Sequence, residues 1–149
     1  MLNQLKKLFQ SLQESSPKQE IDFNTALAAL LVEVMRADGK LQQSEFDKIA
    51  ELLKTRCELP EPQVSALITQ AQQLVEQAVD MYSFAKQVNN HTSDIERIEV
   101  IELLWHVAYA DGELDSHEDH IIRKIAGLFY VAHPDFIAAK LRVQAGLDT

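Results

Sequence analysis

Apolar residues recur every three or four positions through most of the chain, and no long stretch alternates apolar with polar residues. That spacing gathers apolar side chains on one side of a helix. Leu2, Leu5, Leu8, Phe9 and Leu12 predict a first helix over about 2–14, broken by Ser15, Ser16 and Pro17. Leu27, Leu30, Leu31 and Val34 predict a second over about 20–37, ended by Asp38-Gly39. Phe46, Ile49 and Leu53 align a third over about 43–56, and Leu59-Pro60-Glu61-Pro62 breaks the chain again. A fourth, about 61–77, opens with Pro62, which suits a first turn. A shorter helix over about 81–88 leads into a polar loop, Asn89–Thr92. Ser93 or Asp94 then caps a helix over about 95–110, closed by Asp111-Gly112. Two more follow over about 116–131 and 134–145, the last opened by His133-Pro134-Asp135.

The chain repeats itself. Residues 28–53, AALLVEVMRADGKLQQSEFDKIAELL, align without a gap on residues 101–126, IELLWHVAYADGELDSHEDHIIRKIA, at an offset of 73. Nine of the 26 positions are identical and cluster around the block A-D-G-x-L-x-x-x-E. Gly39 and Gly112 stand where a helix end wants a left-handed residue. Asp115 with Glu118 has the spacing of a capping box, and Gln42 with Glu45 resembles it. Each unit is therefore a helix pair on a tight turn. The expected fold is an all-α, compact multi-helix domain over residues 20–149, built on two pseudo-symmetric helix–loop–helix units, about 20–56 and 95–131. These pack through Leu30, Leu31, Val34, Leu103, Leu104 and Val107. Residues 1–16 form a separate amphipathic helix, weakly basic at Lys6 and Lys7, which docks on the domain or reaches a membrane surface or another chain.

Asp38 and Asp111 end their helices, where the helix dipole disfavours an anion by roughly 0.3–1 kcal/mol. The same misfit occurs twice. Either each Asp caps the following helix, or a cation sits there. The candidate metal ligands are Asp38 and Glu45 at the first loop, and Asp111, Glu113, Asp115 and Glu118 at the second. All-oxygen ligands suit Ca²⁺, Mg²⁺ or Mn²⁺. The second loop is the richer in acids and is expected to hold the ion more tightly.

Composition narrows the function. A net charge of −9 opposes nucleic-acid binding and favours cations or protein partners with basic patches. One cysteine, Cys57, leaves no internal disulfide and no thiolate cluster. No stretch approaches the ~20 continuous apolar residues of a membrane span, and the start is amphipathic rather than a secretory signal, so a cytoplasmic place is expected.

Several motifs fail on inspection. Asp111-Gly-Glu-Leu-Asp115 lacks the Gly and Glu positions of an EF-hand. His117-Glu-Asp-His120 is one residue short of a zincin helix, and His106, His117 and His120 read as ordinary surface or half-buried histidines. His133-Pro-Asp135 matches the J-domain tripeptide without a basic helix before it. Neither a Gly-rich phosphate loop nor Gly-x-Ser-x-Gly occurs, and no enzyme activity is expected.

The blocks V-M-R-A-D-G-K-L-x-x-x-E-F and A-Y-A-D-G-E-L-D-x-x-E-D, on successive helix pairs of an acidic chain, resemble the TerB-like family, named for bacterial tellurite resistance. The likeness covers about residues 20–145. It implies an all-helical fold with internal symmetry, acidic loops linked to divalent cations, no catalysis, and a role connected with stress or tellurite resistance. The function read from the sequence is a non-catalytic binding or scaffold module, with a purely structural interaction domain as the alternative.

Overall fold

The computed structural model describes residues 22–37, 43–77, 81–110 and 116–147. Among these lie α1 (Phe23–Arg36), α2 (Gln43–Thr55), α3 (Glu61–Gln77), α4 (Tyr82–His91), α5 (Asp94–Ala108), α6 (Ser116–Leu128) and α7 (His133–Leu147), with no strand among the described residues. The fold is all-α, as the spacing of apolar residues requires. The expected N-terminal helix lies outside the described residues, as do both Asp-Gly turns.

Two helices form the centre. Every residue of α1 from Phe23 to Val32 is buried, and from Glu99 to Ala108 only Glu102 and His106 of α5 are not. A helix buried on nearly all sides must be wrapped by others. α1 packs on α2, α3, α4, α5 and α6, and α5 on α1, α2, α6 and α7. The outer helices bury a single stripe instead. α2 buries Glu45, Ile49, Leu52 and Leu53, and α6 buries Glu118, Ile122, Ile125 and Ala126, the same positions at an offset of 73.

The internal repeat is longer than the helix pair expected from the sequence. α3 buries Val64, Leu67 and Ala71, and α7 buries Phe136, Ala139 and Val143, which match at an offset of 72. Pro62 and Pro134 also match at 72, and so do the left-handed residues Glu58 (φ 56°) and Tyr130 (φ 59°). One residue is lost in the turn after the second helix. In the first unit Leu59 N–H reaches back to Leu53 O at 3.0 Å, in the second Val131 N–H to Ala126 O at 3.0 Å. The shorter return drops the register by one, and the low identity of these helices hides the match from the eye. Exchanging the units turns α1·α3 into α5·α7, α1·α2 into α5·α6 and α2·α5 into α6·α1, all of which are in contact, while α1·α5 maps onto itself. That pattern is what a pseudo-two-fold axis through the α1·α5 seam demands. Leu30, Leu31, Val34, Leu103, Leu104 and Val107 are all fully buried.

Helix limits depart from expectation where side chains act as caps. α1 begins at Phe23 rather than near residue 20, because the Asp22 carboxylate accepts from Thr25 N–H at 2.8 Å. Ser93 and Glu96 close a capping box on α5. Asn89, Asn90 and His91, expected as loop, complete α4. Polar side chains support that last turn: Thr92 Oγ1 donates to Val88 O at 2.6 Å, and the Asn89 amide donates across to Leu128 O on α6 at 2.8 Å. α5 and α6 stop short of residues 110 and 131, at Ala108 and Leu128. Tyr109-Ala110 and Phe129-Tyr130 form turns.

Candidate metal centre

The first-turn glutamates are the described part of the acidic loops. Glu45 and Glu118 each occupy the third position of the helix that follows a loop. A capping glutamate at that position ordinarily lies at the surface. Here each is 1% exposed, and Oε2 of each is shut off from solvent. A buried carboxylate is costly without compensation from hydrogen bonds or positive charge. Both sit at helix N-termini, where free N–H groups and the dipole favour an anion. Asp38, Asp111, Glu113 and Asp115 lie outside the described residues. Among the described residues no three His, Cys, Asp or Glu side chains gather in metal-binding range.

The flanks of the two loops differ. Before the second loop, Tyr109 Oη accepts from the Gln144 amide of α7 at 2.7 Å. Burial raises the Tyr109 pKa, the Gln144 bond lowers it and Asp119 raises it. After the loop, Asp119 accepts from Arg123 at 2.9 Å and pairs with Lys140 of α7 at 3.6 Å. Lys140 lies 5.2 Å from the ring centre of Trp105, and Arg123 lies 5.1 Å from that of Phe136. Trp105 and Phe136 stand 5.3 Å apart. Both flanks are thus tied to α7. A cavity of about 210 Å³ opens beside them, lined by Arg123, Ala126, Gly127, Val131, His133 and Phe136. At the first loop, Arg36 is exposed and Phe46 stands where Asp119 stands in the second unit. The i,i+4 pair of Asp119 and Arg123 was readable from spacing. The Lys140–Trp105 contact joins residues 35 apart, and nothing local in the sequence announces it.

Cys57 is buried and its pKa is pushed up to about 12 by that burial, so it is an unreactive core thiol. His120 is exposed. His106 is half-buried, its Nδ1 is enclosed without a hydrogen-bond partner among the described residues, and its pKa is driven down to about 4. Burial is the main cause, followed by Arg56 and Lys48, with Glu51 opposing. Those cations repel a metal as they repel a proton.

Comparison with known families matches the description "Tellurite resistance protein TerB" over residues 24–141. The chain belongs to the TerB family. The match takes in both Asp-Gly loops and both three-helix units up to the middle of α7, and leaves the first 23 residues outside it. No curated protein and no solved structure gives a significant match. Among the described residues no helix is long and apolar enough to cross a membrane.

Proposed function

We propose that this TerB-family chain is a non-catalytic binding module whose two Asp-Gly loops take up a divalent cation, Ca²⁺, Mg²⁺ or Mn²⁺. One observation carries the reading: Glu45 and Glu118, at equivalent places after the two loops, are each 1% exposed. A carboxylate withdrawn from water beside a loop that carries a further Asp is the arrangement an oxygen-ligand cation site uses. Asp38 and Glu45 would serve the first site, with Asp111, Glu113, Asp115 and Glu118 at the second. Backbone carbonyls and waters would complete either shell. The second site is the tighter one, because it has more acids and its flanks are held to α7. The ion would fix the angle at which each outer helix leaves the turn, and so shape the acidic surface offered to a basic protein partner. Acidity also weighs against nucleic acid as that partner.

Thermal melting with and without millimolar Ca²⁺, Mg²⁺ or Mn²⁺ tests this. An ion that binds only the folded chain at about 100 times its Kd stabilises it by roughly 2.7 kcal/mol. The wild-type Tm should rise, less so in Asp111→Asn and Glu118→Gln, and Asp38→Asn should keep most of the rise. No response to any of the three ions would make the loops capping turns and the chain a purely structural interaction domain.

A further inference from the structure

Under the exchange of units, α1, α2 and α3 have counterparts in α5, α6 and α7, which leaves α4 as the one described helix without a counterpart. It precedes α5 in the chain and packs on α1 and α6. The symmetric place is a helix that precedes α1 and packs on α5 and α2. We propose that residues 5–12 fill that place, docking along α5 as an intramolecular eighth helix.

The apolar pattern fits. α4 and the residue before it bury Met81, Phe84, Ala85 and Val88, and the N-terminal segment carries Leu5, Leu8, Phe9 and Leu12 at the same intervals. The chain length fits as well. Nine residues separate Leu12 from Asp22, an extended reach of roughly 30 Å, against four between Val88 and Ser93.

The receiving face carries the third observation. The Phe23 ring lies 6.4 Å from His91, so α4 covers the Phe23 side of α1. Phe23 and Ala26 correspond to Glu96 and Glu99 of α5 at the offset of 73. Glu99 is 1% exposed, yet neither of its oxygens has a hydrogen-bond partner among the described residues. A carboxylate so enclosed needs a cover and a positive charge. Lys6 flanks the Leu5–Leu12 stripe on a helical projection, and the same segment carries the chain's N-terminal amine, the positive charge that acts on Glu99.

The test uses the full chain. Leu8→Asp should lower the Tm by at least about 4 °C, Leu12→Ala by less, and Gln10→Asp, on the opposite side of the same helix, should leave it unchanged. Amide exchange over Ile98–Glu102 should quicken at least about tenfold in Leu8→Asp. Glu99→Leu should raise the Tm of the wild type and lose that gain on the Leu8→Asp background. Equal melting of the Leu8, Leu12 and Gln10 variants, with wild-type exchange along α5, overturns the proposal. So does flotation on phosphatidylserine vesicles that Leu8→Asp abolishes without moving the Tm, which would give the segment to a membrane surface.

Discussion

The two three-helix units share a scaffold and differ in what fills it. Where the first has Val32, the second has Trp105, and both are fully buried. Where the first has Val64, the second has Phe136, and the larger rings are joined by Lys140, Arg123 and Asp119. The seams between units differ in sign. Glu33 of α1 feels Lys124 of α6, and at the equivalent seam His106 of α5 feels Glu51 of α2. An acid beside bases in one seam is matched in the other by a histidine that feels Arg56 and Lys48 more strongly than Glu51. The scaffold therefore tolerates side chains of different size and charge at matched positions. It does not vary the glutamate after each loop, which is present and buried in both units. That contrast separates what the fold needs from what each unit has acquired.

The largest expected effect distinguishes the two cores. Trp105→Ala should destabilise the chain by about 3–5 kcal/mol, and Val32→Ala by about 2 kcal/mol, in urea unfolding. Equal losses would mean that neither the larger ring nor the cations around it add stability to the second unit.

Next comes a pair of opposed pH dependences. The His106 pKa falls from 6.5 to about 4 in the folded chain, so the unfolded chain binds more protons across that window and His106 makes stability rise with pH. The Glu99 pKa rises from 4.5 to about 7, chiefly through burial, against the pull of the chain's N-terminal amine and with a smaller push from Glu102 and Glu96, so the folded chain binds more protons and Glu99 makes stability fall with pH. Between about pH 4.5 and 6.5 the two oppose each other. Relative to wild type, Glu99→Gln should gain stability with rising pH and His106→Phe should lose it, each by on the order of 1–2 kcal/mol across the window. Melting curves at half-unit pH steps would show both trends. Parallel curves for all three proteins would remove the contrast.

The smallest effect concerns Gly127, which stands where the first unit has Lys54. A Cβ there would meet nothing within 4 Å. Gly127→Ala should stabilise by up to about 1 kcal/mol through helix propensity. A loss instead would mean that the cavity beside α6 is tighter than it looks.

The sequence disclosed the described helices from residue 23 onward because they follow local patterns: apolar spacing, a breaker after a helix, a glutamate three residues into the next. It concealed the third repeated helix, since a one-residue shortening before Tyr130 breaks the register that carried the first two. It also mislaid the end of α4, where Asn89 and Thr92 look like loop residues until their partners Leu128 and Val88 are known. Of the candidate ligands, Glu45 and Glu118 were legible as acids in the first turn of a helix. Their burial was not, because it depends on how α2 and α6 lie against the two central helices.

The central position of α1 has a consequence for the order of events during synthesis. Its neighbour α6 begins about 80 residues after α1 ends, from Arg36 to Ser116. At about 5–20 residues per second, α1 leaves the ribosome roughly 4–16 s before its last wall exists. Throughout that interval a helix destined for burial on nearly every side has only part of its cover. A truncated product ending after α3 would stay in that condition, so residues 22–77 should be held by chaperones or degraded rather than persist as a half-domain.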